Sequence, residues 1–253
     1  MRIIGFVGKG GTGKTTLTAL FLRELLRRKK GNLLVVDSDP NECLASLLGS
    51  GEMLRVSDML KSYKLQRDRS PELTGLDIFK GLFDTLLMEG ERDGYDMIVM
   101  GRGEGEGCYC AVNDLLKAVF NKTAESGQYE YLLMDCEAGL EHISRKTSGD
   151  IDDAIILTDA SKTSLDTLGR IKEVALEVGL GIDNYYVVAN RTRPEMVDKI
   201  KERAESLGFK YVGAIPEDVD LSEMAYQGKT VFDLPEDSPA ARAIIDIVDK
   251  IAR

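Results

Sequence analysis

The sequence lacks several features that mark particular classes of protein. No run approaches the roughly 18 apolar residues of a membrane span, and the 253 residues include only four cysteines and one histidine. Acidic residues outnumber basic ones by 43 to 33, which gives a net charge of −10. So few cysteines exclude a disulfide scaffold, and the acidic balance disfavours binding to nucleic acid or to an anionic membrane. Because the chain also begins without a charged and then apolar leader, we expect a cytoplasmic protein with no nucleic-acid or membrane partner.

Apolar runs of strand length alternate with helical patterns along the chain. Runs such as 33–36 and 154–157 are apolar from end to end, which is typical of strands covered on both faces. We therefore predict one α/β domain over residues 1–253, with a doubly wound, mostly parallel sheet of about seven or eight strands. The pattern places strands near 2–7, 33–37, 95–100, 131–135, 154–158, 185–189 and 211–215, and helices near 14–29, 111–126, 164–179, 194–207 and 238–252.

A glycine-rich segment follows the first predicted strand. Gly8, Gly13, Lys14 and Thr15 satisfy the phosphate-loop pattern G-x-x-x-x-G-K-[ST]. Glycines let backbone N–H groups turn towards an anion, the lysine reaches the β- and γ-phosphates, and the threonine hydroxyl can bind Mg²⁺. The segment is therefore predicted to bind the phosphates of ATP or GTP through Gly8, Lys9, Gly10, Gly11, Thr12, Gly13, Lys14, Thr15 and Thr16.

A second lysine makes this loop distinctive. Lys9 lies on the loop itself, and the segment K-G-G-T-G-K-T-T resembles the deviant Walker A motif of the MinD/ParA/nitrogenase-iron-protein family of dimeric ATPases. In that family the extra lysine reaches the phosphates of the nucleotide bound by the partner subunit. The resemblance therefore implies a homodimer that holds ATP between its subunits.

Carboxylates follow two of the other predicted strands. Asp37 and Asp39 come after the second strand, and Asp135 comes after the strand near 131–135. By their place in the family pattern, Asp39 positions or activates the attacking water and Asp135 holds the magnesium shell, which Asp37 could join. The resemblance implies that Lys9, Lys14 and Asp39 are the residues of catalysis, because phosphoryl transfer needs mainly positioning and charge neutralisation.

Two later segments are expected to hold the base. Asn190 ends the strand near 185–189, and Pro216 and Glu217 follow the last predicted strand. In the family these places flank adenine, so Asn190 is predicted to contact the base and Pro216 and Glu217 to form part of its wall. The chain has no N-K-x-D guanine signature, which favours ATP over GTP.

The four cysteines divide into two kinds. Cys43 and Cys136 fall in segments predicted to be packed and are expected to be buried, with a redox or ligand role in reserve for Cys136. Cys108 and Cys110 follow the glycine-rich run 101–107 and are predicted to be accessible thiolates on one side of an extended segment. Two thiolates fill half of a tetrahedral or square-planar site.

A dimer would supply the missing ligands of that site. The single histidine, His142, is distant in sequence and is more often a surface or packing residue than a ligand. A two-fold axis would bring a second Cys108/Cys110 pair to the first and complete a four-thiolate site for nickel or zinc.

Together these motifs resemble the CooC-type ATPases that assist nickel insertion into carbon monoxide dehydrogenase. The resemblance spans essentially the whole chain and implies a metal-binding ATPase whose partner is the carbon monoxide dehydrogenase apoenzyme. Two alternatives stay open: a maturation ATPase for acetyl-CoA synthase, and a MinD/ParA-like positioning switch that binds protein partners rather than metal. The acidic balance and the Cys-x-Cys pair argue against the switch.

Overall fold

The structure is a computed structural model that describes residues 1–39, 41–51, 53–59, 62, 87–90, 94–101, 121–136, 151–177 and 179–252. Within these ranges, no helix has both the length and the apolar character needed to cross a membrane.

The described strands form a single eight-stranded sheet in the order β3-β4-β2-β5-β1-β6-β7-β8. All neighbouring pairs are parallel except β3 and β4. β1 therefore lies in the interior, with the chain wound outwards on both sides of it, as the doubly wound prediction requires. The strands are β1 Arg2–Gly8, β2 Leu33–Asp37, β3 Met88–Glu89, β4 Tyr95–Val99, β5 Tyr131–Asp135, β6 Ile151–Thr158, β7 Ile182–Asn190 and β8 Lys210–Ile215.

The seven predicted strands are confirmed, and the reason is visible in their burial. Every residue of β2 and β5 is buried, as expected for strands with a helical layer on each face. The sequence analysis missed β3, a two-residue strand that pairs antiparallel with β4 in the register Met88 to Met97. So short an edge strand has no room for an alternating pattern.

The described helices flank this sheet. The predicted helices near 14–29, 164–179, 194–207 and 238–252 are present, and of the one near 111–126 only 121–126 is described and is helical. Prolines at the first helical position and a serine cap account for two of the starts. Besides the helical residues 56–59 and 121–126, the described helices are α1 Lys14–Arg27, α2 Cys43–Leu47, α3 Lys162–Glu177, α4 Pro194–Ser206, α5 Val219–Tyr226 and α6 Pro239–Ile251. Of these, α2 and α5 are not predicted by the sequence pattern, and neither is the 3₁₀ turn Val231–Asp233.

Two apolar cores lie on opposite faces of the sheet. On one face, α1 and α6 pack on the strands, and the rings of Phe6 and Phe21 meet edge to face at 5.5 Å. On the other, α3 and α4 cover residues such as Ile156 and Val187. Burying apolar area on both faces stabilises the fold by roughly 25 cal/mol per Å², and it fixes the strand ends where the candidate site lies.

The two described cysteines differ in their exposure to solvent. Cys136 is 2% exposed, as predicted, and its thiol donates to the carbonyl oxygen of Met134. The prediction for Cys43 is wrong, because Cys43 is exposed at the start of α2. This helix of five residues buries only Leu44 and Ala45, so its first side chain is left in solvent.

Candidate nucleotide-binding site

The carboxyl ends of the central strands bring the predicted phosphate-binding residues together. β1 runs directly into the phosphate loop, and α1 begins at Lys14. In the parallel register, Asp37 on β2 is the partner of Asp135 on β5. Asp135 is in turn the partner of Phe6 on β1. This is the point of a doubly wound sheet where ligands bind, because the strand order reverses there and leaves a crevice.

Two glycines of the phosphate loop are required by its backbone. Gly8 has a φ of 144° and Gly13 a φ of 95°, and residues other than glycine rarely adopt such values. A Cβ on Gly8 would lie 2.4 Å from the carbonyl oxygen of Leu157, and a Cβ on Gly13 would lie 2.4 Å from Nδ2 of Asn190. A side chain at Gly8 would force the loop away from β6, and one at Gly13 would displace the Asn190 amide from the loop.

Side chains of the loop fold back onto its own backbone. The Thr12 hydroxyl donates to the carbonyl oxygen of Lys9 at 2.8 Å, and the Lys14 ammonium reaches the same oxygen at 3.5 Å. Lys14 is only 7% exposed. A buried ammonium at a helix N-terminus, with one long hydrogen bond, is well placed to bind the anionic oxygens of a phosphate.

Asp37 is fully buried and holds the loop that carries Asp39. Its Oδ1 accepts from the backbone N–H of Asp39 at 3.1 Å, and its Oδ2 accepts from that of Leu44 at 3.0 Å. Burial raises the pKa of Asp37 to about 6, although these backbone N–H groups act in the opposite direction. The carboxylate therefore ties the end of β2 to the start of α2.

Asp39 is half-buried just beyond the end of β2. Its Oδ1 accepts from the backbone N–H of Asn41 at 2.9 Å and from the Asn41 side-chain amide at 2.8 Å. Asp39 is therefore held by two sets of hydrogen bonds, one from its backbone N–H to the carboxylate of Asp37 and the other from Asn41 to its own carboxylate. A carboxylate fixed in this way can orient a water molecule beside a bound phosphate.

Asp135 is the unusual group of the site. It is fully buried, and neither carboxylate oxygen has a hydrogen-bond partner of normal geometry within the described residues. Burial raises the pKa of Asp135 to about 7; the nearby Thr15 hydroxyl and Lys14 ammonium lower it, whereas the carboxylates of Asp37 and Asp39 raise it.

These features of Asp135 fit a magnesium site. A buried carboxylate without partners is costly unless a cation or donor completes it. Within the described part of the chain, no group of three or more His, Cys, Asp and Glu side chains is placed to hold a metal ion. Mg²⁺ does not require such a cage, because it is usually held by one or two protein oxygens together with phosphates and water. Asp135 and Thr15 offer those protein oxygens.

Lys9 lies on the exposed rim of the loop. Its ammonium donates to the Thr163 hydroxyl at 2.9 Å, in the first turn of α3. The side chain is therefore directed along the surface beside the phosphate loop. Its predicted reach to the nucleotide of a partner subunit stays a prediction.

A cleft of about 640 Å³ opens beside the phosphate loop. Pro216 and Glu217, the residues predicted as a base wall, line one side of it. The start of α1 and residues of α5 also line it. The remaining apolar lining includes Leu17, Leu20, Ile215 and Leu221. An apolar cleft that adjoins a phosphate loop is suited to a nucleoside, so we name it the base cleft.

Asn190 joins the base cleft to the phosphate loop. Its Nδ2 donates to the carbonyl oxygen of Thr12 at 2.7 Å, and the residue is 9% exposed. This contact commits the donor end of the amide to the loop. The oxygen end is the group left to meet a base, and an acceptor suits the exocyclic amine of adenine.

Sequence reasoning missed two residues that shape the cleft. Arg191 donates from Nη2 to the carbonyl oxygen of Gly11, although its own backbone is left-handed with a φ of 49°. Asp218 caps α5 and also accepts from the backbone N–H of Ala240. The sequence carries a signal only for Asp218, because an aspartate directly before the first residue of a helix is a common N-cap.

The predicted metal ligands Cys108 and Cys110 lie outside the described residues. His142, which is not expected to be a ligand, also lies outside them. The described part of the site therefore consists of the phosphate loop, three carboxylates and the base cleft.

The fold and this loop define a P-loop nucleotide-binding protein. Sequence comparison agrees, because the family described as the CobQ/CobB/MinD/ParA nucleotide binding domain matches residues 3–231. The chain therefore belongs to this family and is a nucleotide-binding protein of the MinD/ParA type.

Two relatives cover nearly the whole chain. An uncharacterized ATP-binding protein of Methanocaldococcus jannaschii is 38% identical over 252 residues, which is 98% of each chain. The carbon monoxide dehydrogenase accessory protein CooC of Rhodospirillum rubrum is 30% identical over 250 residues, which is 94% of this chain and 91% of that protein.

Solved structures share the fold. The MinD cell division protein of Aquifex aeolicus matches with a TM-score of 0.72 at 24% identity, over 99% of this chain and 96% of that one. The septum site-determining protein MinD of Pyrococcus horikoshii, complexed with Mg-ADP, matches with a TM-score of 0.69 at 23% identity, over 100% of this chain and 96% of that one. At these identities the likeness concerns the fold alone.

Proposed function

We propose that this protein is a homodimeric ATPase that binds nickel or zinc between its subunits and assists nickel insertion into the carbon monoxide dehydrogenase apoenzyme. The observation that carries the proposal is the combination of two motifs in one chain, the phosphate loop with its extra Lys9 and the pair Cys108 and Cys110. The 30% identity to CooC over 94% of the chain supports it.

The phosphate end of the site supports ATP hydrolysis. In this proposal Lys14 binds the β- and γ-phosphates, and Thr15 and Asp135 provide oxygens for Mg²⁺. When bound, Mg²⁺ neutralises phosphate charge as it develops in the transition state. Asp39 orients the attacking water. Asp37 contributes by fixing Asp39, since both of its oxygens accept backbone N–H groups; a direct place for it in the magnesium shell stays a prediction.

The base cleft supports adenine as the base. Asn190 presents its oxygen to the cleft because its amide nitrogen donates to Thr12. The exocyclic amine of adenine can donate to that oxygen, whereas guanine places its own carbonyl oxygen at the corresponding position and would be repelled. Pro216 and Glu217 would then flank the ring.

Lys9 supports the proposed homodimer. The side chain is exposed, and its ammonium donates to a threonine hydroxyl on the same surface, with the Asp159 carboxylate near enough to interact with it electrostatically. An exposed ammonium can leave such a contact at little cost, because water replaces the hydroxyl. ATP held by two subunits would offer Lys9 a more strongly charged partner, so nucleotide would favour the dimer.

Metal stoichiometry tests the proposal most directly. The anaerobically purified protein should bind one Ni²⁺ or Zn²⁺ per dimer, which is half an ion per chain, because each subunit donates two thiolates. Cys108→Ser and Cys110→Ser should each abolish tight binding. Cys43→Ser is the matched control, since Cys43 is an exposed thiol outside the proposed site. One tightly bound ion per monomer that survives in the Cys108→Ser/Cys110→Ser protein would refute the shared site.

The target enzyme needs a separate measurement. Nickel-free carbon monoxide dehydrogenase should regain activity when it is mixed with the nickel-loaded protein and ATP, and the Cys108→Ser protein should fail to restore it. Restored activity of acetyl-CoA synthase instead would assign the protein to that enzyme. A protein that dimerises with ATP but binds no metal would support the positioning switch.

A further inference from the structure

The carboxylate of Asp218 joins two helix N-termini. Its Oδ1 accepts from the backbone N–H of Leu221 in the first turn of α5, at 3.1 Å. Its Oδ2 accepts from the backbone N–H of Ala240 in the first turn of α6, at 2.8 Å. The residue is 6% exposed. A carboxylate that accepts from two helix N-termini gains from both dipoles, so the contact is a strong one.

The two helices differ in how firmly they are held. Of the eight residues of α5, only Met224 is buried. Helix α6 buries six residues, and Arg28, the C-cap of α1, donates to its Ile245 carbonyl oxygen at 3.0 Å. Lys250, near the end of α6, donates to the Val212 carbonyl oxygen on β8 at 2.7 Å. Asp218 therefore connects a loosely packed helix to a firmly packed one.

Asp218 also stands directly after the wall of the base cleft. Pro216 and Glu217 line the cleft, and α5, which follows them, lines it as well. The Ser222 hydroxyl donates to the Asp218 carbonyl oxygen at 2.9 Å, which ties the first turn of α5 to the same residue. Asp218 thus links the segment that carries the wall to α6.

We propose that Asp218 is a positioning residue that sets the base-side wall of the nucleotide site and so controls the affinity and selectivity for the base. The proposal rests on the proposed placement of the nucleoside in the base cleft. Asp218 acts through Pro216, Glu217 and α5, which would otherwise adopt several positions. A wall with several positions binds a ligand less tightly, because binding must then select one of them.

A control on the same helix separates positioning from loss of stability. Ser238 caps α6 and not α5, since its hydroxyl accepts from the backbone N–H of Ala241 at 3.2 Å. Ser238→Ala and Asp218→Ala each remove one acceptor from the first turn of α6. Only Asp218→Ala also frees the wall of the base cleft.

The experiment measures the affinity of the full chain for two ligands with Mg²⁺, by titration calorimetry. A non-hydrolysable ATP analogue reports the whole site, and inorganic tripolyphosphate reports the phosphate end alone. Asp218→Ala should lower the affinity for the ATP analogue about tenfold, as expected for loss of a charged hydrogen bond. It should also reduce the ratio of the affinity for the ATP analogue to that for the matching GTP analogue. Tripolyphosphate affinity should stay unchanged, and Ser238→Ala should leave both affinities unchanged.

Several outcomes would overturn the inference. These are an unchanged ATP affinity in Asp218→Ala, an equal loss for ATP and tripolyphosphate, or the same loss in Ser238→Ala. If Asp218→Ala does not fold, Asp218→Asn decides the matter, because its amide keeps one acceptor for two N–H groups and should give a smaller loss of the same kind. Wild-type protein that binds tripolyphosphate as tightly as the ATP analogue would instead refute the placement of the nucleoside, and thus the proposed function of the cleft.

Discussion

The phosphate end of the site buries charge at the ends of β1, β2 and β5, whereas the base cleft is bounded by apolar side chains and by a helix that lies mostly in solvent. At the phosphate end, Lys14 is 7% exposed and Asp37 and Asp135 are fully buried. At the cleft, α5 buries only Met224, and its last residue, Tyr226, is 93% exposed. Both regions belong to the proposed nucleotide site, yet they are stabilised by different means.

The difference shows which part of the site depends on its ligand. A buried carboxylate without a partner destabilises the free protein, and a bound cation such as Mg²⁺ relieves that cost. An apolar wall is stable without a ligand and contributes mainly shape. The phosphate end should therefore control hydrolysis and coupling between subunits, and the base cleft should control affinity and selectivity.

Asp135→Asn tests the phosphate end most severely. The variant keeps the size of the side chain but removes the charge proposed to hold Mg²⁺, so ATP hydrolysis should fall by about 100-fold or more. The nucleotide-free protein should at the same time become more stable, by about 1 kcal/mol or about 2–4 °C in Tm, because an unpaired buried charge is lost. Steady-state hydrolysis and calorimetry measure the two effects.

Asp153→Asn is the matched control for this prediction. Asp153 is also fully buried, but it forms an ion pair with Arg2 at 2.5 Å and accepts from Asn184 at 3.1 Å. Removing its charge should lower stability by about 2 kcal/mol and leave hydrolysis unchanged. If Asp135→Asn also lowers stability, its carboxylate is not an unpaired charge and the comparison between the two regions fails.

Lys9→Ala tests the coupling between subunits. The variant should still bind ATP through the rest of the phosphate loop, but nucleotide should no longer favour the dimer, because the ammonium proposed to cross the interface is gone. Light scattering with a non-hydrolysable ATP analogue measures this. Lys162→Ala is the control, since Lys162 is an exposed cation beside Thr163 at the start of α3. Normal dimerisation of Lys9→Ala with nucleotide would contradict the role given to Lys9.

The phosphate end could be predicted from the sequence far better than the base cleft. Gly8 to Thr16 form one contiguous motif, and the conformations of Gly8 and Gly13 require glycine. Asp37 and Asp135 follow buried strands, and parallel strands end at the same edge of a sheet. Local sequence and sheet topology together therefore determine this end, and the predicted residues that are described do meet there.

The base cleft depends on contacts between distant segments. The sequence pattern predicts Asn190 at the end of the strand near 185–189, yet nothing local indicates that its amide donates to Thr12, 178 residues away. Helix α5 was missed because, with one buried residue, it has almost no apolar periodicity. Cys43 was expected to be buried because its neighbours Leu44 and Ala45 are apolar, but the short helix leaves its first residue in solvent.

Asn190→Ala tests the link between the two regions. The variant removes both the amide nitrogen that donates to Thr12 and the amide oxygen proposed to accept from adenine. The affinity for ATP should therefore fall about tenfold, and the ratio of ATP to GTP affinity should fall as well. Asn184→Ala, on the same strand, is the control; Asn184 donates to Asp153 and accepts from Lys210, outside the site. An unchanged ratio of ATP to GTP affinity in Asn190→Ala would remove Asn190 from base selection.

Arg191 should give the smallest effect, and two substitutions there separate side chain from backbone. Arg191→Ala and Arg191→Gly both remove the exposed hydrogen bond to the Gly11 carbonyl oxygen, so both should weaken ATP binding by the same factor, about twofold to fivefold. They should differ in stability, because the φ of 49° at this position is left-handed. Arg191→Gly should be more stable than Arg191→Ala by about 1 kcal/mol in the free energy of unfolding. Equal stabilities would mean that the left-handed backbone carries no strain, and unequal ATP affinities would mean that this strain, rather than the hydrogen bond to Gly11, connects Arg191 to the phosphate loop.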